Sequence, residues 1–122
     1  MIERLGIGTD ITDVNKFKKI IYSSNKKFYE KIFLPSEIKY CLKYKNPSPH
    51  FAGKFAVKES VIKSLPEKIS FLEIETFYSQ SKPQIKLKGP MTKKYIFQVS
   101  ISHEKNFAIA IVISEKKEKY QK

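Results

Sequence analysis

The chain has 122 residues, 41% of them hydrophobic, which suits one domain with a modest core and leaves little room for two. No apolar run reaches the roughly 20 residues of a membrane span, the N-terminus lacks the basic-then-apolar layout of a signal peptide, and the single Cys41 excludes an internal disulfide, so the expectation is a soluble, cytoplasmic chain with no membrane partner. The formal net charge of +12 predicts an acidic partner, yet Arg4 is the only arginine, and lysine lacks the guanidinium fork that base readout and bidentate phosphate clamps favour, which weighs against nucleic acid.

Residues 2–9 read as a strand with Leu5 and Ile7 on one face and Gly6 and Gly8 on the other. Asp10 follows on the glycine side. Glycines there admit a ligand or another backbone at close range and leave room before the carboxylate, although a strand ending in a helix-capping Asp has the same pattern. Val14, Phe17 and Ile20/Ile21 then recur at helical spacing, predicting a short amphipathic helix with Lys16, Lys18 and Lys19 turned outward. Phe28, Ile32 and Phe33 supply apolar anchors before Pro35, residues 36–42 read as a helix capped by Ser36, and Asn46-Pro47-Ser48-Pro49 separates it from the next element.

Residues 51–65 read as one helix, with Ser48 as N-cap, Pro49 in the first turn and Pro66 stopping continuation. At roughly 100° per residue, Glu59 falls between Phe55 and the Ala52/Ala56 pair, inside the apolar arc. A carboxylate turned toward a core needs a cationic partner. Lys63, one turn later, is one candidate, and a divalent ion is the other.

Beyond Pro66 the pattern switches to period two: a strand over 71–78, a turn over 79–83 and a strand over 84–88. Gly89-Pro90 breaks the hairpin. A second hairpin joins 96–102 to 107–113 across His103-Glu104-Lys105-Asn106, which puts His103 in a turn. Its last run is continuously apolar and is expected to be buried on both faces. The predicted fold class is α+β, an antiparallel sheet of hairpins packed against a long central helix, with one domain over 1–114 and a polar, lysine-rich tail over 115–122.

Four stretches together resemble the holo-[acyl-carrier-protein] synthases, which are small 4′-phosphopantetheinyl transferases: Gly6-Ile7-Gly8-Thr9-Asp10-Ile11, Phe51-Ala52-Gly53-Lys54-Phe55-Ala56-Val57-Lys58-Glu59-Ser60, Ser81-Lys82-Pro83 and Val99-Ser100-Ile101-Ser102-His103-Glu104-Lys105. The resemblance implies the phosphopantetheinyl transferase fold and magnesium-dependent transfer of 4′-phosphopantetheine from coenzyme A to a serine of an apo acyl carrier protein. That reaction leaves adenosine 3′,5′-bisphosphate and serves fatty acid biosynthesis. The family likeness makes Asp10 and Glu59 the magnesium ligands. It makes Glu59 and Lys63 the catalytic pair, and Lys54, Lys63, Ser64 and His103 contacts to coenzyme A. Lys16 and Lys19 would meet the acidic carrier protein, and the assembly would be a homotrimer with active sites between subunits. The residue chemistry agrees, since magnesium is commonly held by one or two carboxylates together with water and phosphate oxygens. Two features depart from the family pattern: Lys16 stands where arginine is usual, and the segment 64–70 is short and lacks glycine.

The main rival, a basic RNA-binding module, would expose aromatics on a sheet, whereas Phe51, Phe55, Phe97 and Phe107 occupy core-type positions. A non-catalytic homologue that only binds carrier protein is the other alternative, and the presence of Asp10, Glu59 and Lys63 weighs against it.

Overall fold

The organising element is a helix buried nearly all the way round. In the computed structural model, which describes residues 4–118, this helix (α4, Ser48–Ser64) has every residue from Phe51 to Val61 except Glu59 buried. It is preceded by β1 (Leu5–Asp13), α1 (Asn15–Lys19), α2 (Lys26–Glu30) and α3 (Pro35–Leu42), and followed by β2 (Ile74–Ser79), β3 (Lys82–Leu87), β4 (Tyr95–Glu104) and β5 (Phe107–Lys116). One side of α4 meets the antiparallel sheet β1-β5-β4, and the other meets the short helices and the separate β2-β3 hairpin. The α+β class is as the sequence predicts.

Close approach between α4 and the sheet depends on missing side chains. A Cβ built on Gly6 would lie 1.8 Å from the Ser64 carbonyl oxygen, and one on Gly8 would lie 1.9 Å from that of Ser60. The glycines therefore make room for another backbone, that of α4, which is one of the two uses their pattern allows. On β5 the residues facing α4 are Ala108, Ala110, Val112 and Ser114, all buried.

The rest of the core splits in two. Phe17, Tyr29, Phe33, Phe51 and Phe55 pack around Val14, Ile32 and Ile38 beneath the short helices; Val57, Val61, Leu65, Ile74, Leu87, Tyr95 and Val112 fill the space toward the hairpins. Leu65 is extended, as a residue before proline tends to be, and so ends α4.

Several boundaries differ from the sequence reading for identifiable reasons. β1 continues through Asp10 to Asp13 because β5 pairs with its whole length, with Asp10 opposite Ala110. The second long hairpin turns on Lys105-Asn106 alone, so His103 belongs to β4 and pairs with Ala108. The β2-β3 turn is likewise two residues, Gln80-Ser81, both at positive φ. Phe71–Glu73 form a 3-10 turn before β2. α3 starts with Pro35 at its first position, so Ser36, expected as the cap, lies inside the first turn; the Leu34 N–H before the helix donates to Glu37 Oε1 (2.7 Å). At the other end of the chain, β5 takes Glu115 and Lys116 out of the expected tail, while 119–122 lie outside the described residues. The run 107–113 is buried on one face only. Phe107, Ile109, Ile111 and Ile113 point outward, so Phe107 does not hold the core position assigned to it.

Candidate active site between the first strand and the central helix

The glycines that seat α4 on β1 also determine what stands beside its last turns. Ser60 Oγ donates to Ala56 O (2.8 Å) and approaches Ala110 O (3.3 Å), the residue opposite Asp10. One turn later Lys63 reaches across to β1, its ammonium donating to Thr9 O (2.9 Å) and Asp10 Oδ1 (3.3 Å). Asp10 Oδ2 accepts from Thr12 Oγ1 (2.6 Å). The Asp10 side chain is 15% exposed and that of Lys63 is 53% exposed, so the pair sits at the rim of the interior with the ammonium toward solvent.

The expected Glu59–Lys63 pair along the helix does not form. Lys63 goes to Asp10 instead, and the half-buried Glu59 carboxylate has no hydrogen-bond or ion-pair partner among the described residues. Glu59 stands one helical turn before the Lys63 that reaches Asp10, and the two carboxylates are hard oxygen donors of the kind magnesium prefers. Among the described residues no group of three or more His, Cys, Asp or Glu side chains could hold an ion by itself. The donor set thus suits an ion completed by water and substrate oxygens.

Ser64 ends α4 with its Oγ donating to Val61 O (2.8 Å). With Gly6, Lys63, Leu65, Tyr95 and Ser114 it lines a cleft of about 410 Å³. A second cleft, of about 400 Å³, is lined by Tyr78, Ser81, Lys82, Pro83, Ser100 and His103. Two of the motif stretches, far apart in sequence, therefore share one cavity. The His103 ring lies over α4, 3.5 Å from where a Gly53 Cβ would stand. The fold brings Asp10, Lys63 and Ser64 to one end of α4, and places His103 with Lys82-Pro83 in a different cleft.

Lys54 is neither a solvated lysine nor free to reach a phosphate. It is 4% exposed, and its ammonium donates to Thr76 O (3.0 Å) and Thr76 Oγ1 (3.1 Å) while lying 4.7 Å from the Tyr40 ring centroid. Burial lowers its pKa. Its role as a contact to coenzyme A gives way to one in the interior.

The sequence reading missed the partners of that interior network. Lys58 and Glu37 form a fully buried ion pair, Nζ to Oε1 at 2.7 Å, and Lys58 also donates to Ile32 O (2.8 Å) and Phe71 O (3.0 Å), so all three ammonium protons have acceptors. Desolvation lowers the Lys58 pKa, with Glu37 opposing it. Glu37 Oε2 accepts from Thr76 N (2.7 Å) and Thr76 Oγ1 (2.6 Å). The legible signal was the apolar surround: Phe51, Ala52, Phe55, Ala56 and Val57 enclose positions 54 and 58 on every side of the helix.

Lys16 and Lys19 are exposed on α1, and Lys16 Nζ lies 4.3 Å from the Phe55 ring centroid. Among the described residues no helix is long and apolar enough to cross a membrane.

Residues 6–112 match the family described as the 4′-phosphopantetheinyl transferase superfamily. The chain is 44% identical over 116 residues to the holo-[acyl-carrier-protein] synthase of Thermodesulfovibrio yellowstonii, covering 93% of this chain and 98% of that one. Its fold is similar to the Helicobacter pylori holo-[acyl-carrier-protein] synthase in complex with coenzyme A (TM-score 0.77, 37% identity, 89% of this chain and 99% of that one). It is equally close to the Bacillus anthracis synthase in complex with coenzyme A (3′,5′-ADP), with TM-score 0.77, 32% identity, and 92% and 96% coverage. Nearly end-to-end matches in both sequence and fold place this chain in the holo-[acyl-carrier-protein] synthase family of 4′-phosphopantetheinyl transferases.

Proposed function

We propose that this chain transfers the 4′-phosphopantetheine arm of coenzyme A to a serine of an apo acyl carrier protein, with magnesium held by Asp10 and Glu59. The observation that carries the residue assignment is the Lys63 bridge to Asp10. It ties the last turns of α4 to β1 on the side where the Glu59 carboxylate has no other partner. Bound there, magnesium would neutralise charge on the pyrophosphate.

The chain's own groups supply the remainder. Glu59 accepts the proton of the carrier serine as its oxygen bonds to the pantetheine-side phosphorus. The P–O bond to the bridging oxygen breaks, and adenosine 3′,5′-bisphosphate leaves. Lys63 presents its ammonium to the pyrophosphate oxygens. Ser64 borders the same space. His103, with Lys82-Pro83, borders the cleft suited to the nucleotide end. Lys16 and Lys19 offer the acidic carrier protein a basic approach that raises the association rate.

The outer face of the sheet supports assembly into a trimer with sites between subunits. Leu5, Ile7, Ile11, Ile109, Ile111 and Ile113 are each 37–64% exposed in the single chain, a patch that calls for cover. Packing copies together there would let the Asp10–Lys63 end of one meet the His103 cleft of the next.

The test is intact-mass measurement of an apo carrier protein incubated with the chain, coenzyme A and magnesium. The arm should be added, and Asp10→Asn or Glu59→Gln should slow addition by about 10²-fold or more while circular dichroism stays unchanged. Wild-type turnover in either variant removes that carboxylate from the site.

A further inference from the structure

The two walls of the His103 cleft belong to different sheets. One wall is the β2-β3 hairpin, carrying Tyr78, Ser81, Lys82 and Pro83; the other is β4, whose His103 rests against α4 at Gly53. No strand ladder joins β3 to β4. What ties the hairpin to α4 in a directional way is Thr76. Its N–H and its hydroxyl donate to Glu37 Oε2, and its carbonyl and hydroxyl oxygens accept from Lys54. Glu37 is held in turn by Lys58, on α4, and by the Leu34 N–H at the start of α3.

We propose that Thr76 and Glu37 are positioning residues that set the width of the His103 cleft, and through it the affinity for the nucleotide portion of coenzyme A. This rests on the reading of that cleft as the nucleotide end of the site. Apolar contacts of Ile74 and Leu87 hold the hairpin to the core but permit sliding. Four hydrogen bonds to one residue do not. A buried ion pair is a weak source of stability and is better suited to fixing register, which is the role assigned here.

The measurement is calorimetric binding of adenosine 3′,5′-bisphosphate to the full chain, together with the KM and kcat for coenzyme A. Thr76→Val keeps the β-branched shape and removes two of the four bonds. It should weaken nucleotide binding and raise KM by about three- to tenfold, with kcat at saturating coenzyme A within about twofold of wild type. Thr76→Ser, which restores the hydroxyl, should recover the affinity. Glu37→Leu combined with Lys58→Met removes the carboxylate without orphaning the ammonium and should show the same loss. A merely structural role would lower the melting temperature and leave both constants alone; wild-type affinity in whichever variant stays folded overturns the proposal. A wild-type chain that does not bind adenosine 3′,5′-bisphosphate would instead sink the functional reading itself.

Discussion

Where β1 and β5 form the β1-β5-β4 sheet, its two faces are made of opposite materials. Toward α4 the positions are Gly6, Gly8, Ala108, Ala110, Val112 and Ser114, mostly small, and at the glycines helix and strand backbones nearly touch. Away from it they are Leu5, Ile7, Ile11, Ile109, Ile111 and Ile113, large and open. An inner face of small residues gains little from buried area but gains precision: it places Lys63 within reach of Asp10, and a single added methyl group is intolerable. An outer face of branched aliphatics gains from area and tolerates change until it is asked to be covered. The proposed site therefore depends on the first face and the proposed assembly on the second.

The harshest way to break that contrast is a side chain on the inner face. Gly8→Val would put a Cβ 1.9 Å from the Ser60 carbonyl, backbone against backbone, with no flexible group to yield. The expected cost exceeds the roughly 1–3 kcal/mol of ordinary overpacking, and thermal denaturation should show a chain that is unfolded or barely folded at room temperature. A melting temperature near wild type would mean that α4 does not sit on β1 as described.

A pair of substitutions on the outer face should do the reverse. Ile7→Glu with Ile111→Glu leaves α4 and its contacts untouched, so circular dichroism should be unchanged, while sedimentation should shift from a trimer to a monomer. Transfer activity should fall by about tenfold or more if neighbouring copies share the site. An unchanged sedimentation coefficient would show that the outer face is not the interface.

The same contrast explains what was legible beforehand. The strand periodicity, the long helix and the pairing of Gly6 and Gly8 with Asp10 all follow from local pattern, because small and large residues alternate where a sheet has two distinct faces. Continuous apolar character along 107–113 leads to an expectation of burial on both faces, and that expectation fails for one of them: alternate residues of β5 face outward in the single chain. The burial of Lys58 had a signal in its apolar surround, but its partners in the Glu37–Lys58–Thr76 network had none, for a different reason. The network's three members come from α3, α4 and β2, and nothing in the spacing of Glu37 predicts which of 24 basic residues it will meet. Glu59 and Lys63 were both found from the wheel, whereas the pairing of Lys63 with Asp10 was not, because the reach of a lysine across to another element is decided by tertiary packing.

The gentlest probe works at the edge of the inner face, where β4 begins. Tyr95 is buried among the residues packed on α4, and its hydroxyl donates to Glu67 (2.6 Å), just past the helix end. Burial, followed by the hydrogen bond to Glu67, pushes the Tyr95 pKa up to about 12, and the same hydrogen bond pulls Glu67 below its ordinary 4.5. Because the folded Glu67 gives up its proton more readily than the unfolded chain does, its contribution is fully present above pH 4.5 and is lost as the pH falls through its lowered value. Tyr95 works in the other direction: the folded chain keeps a proton that the unfolded chain releases near pH 10, so stability declines as the pH climbs from there toward 12. Tyr95→Phe preserves the ring and removes both effects. Its unfolding free energy from urea denaturation should lie below wild type at neutral pH by no more than about 1 kcal/mol, a small figure because Glu67 is largely solvated. The gap should close as the pH falls through the lowered Glu67 value and wild type loses the carboxylate. A gap that persists unchanged once Glu67 is protonated would mean that the ring's packing against α4, and not the hydrogen bond, is what Tyr95 contributes. The outer-face pair, which touches neither group, should leave this pH dependence of the folded chain as it is.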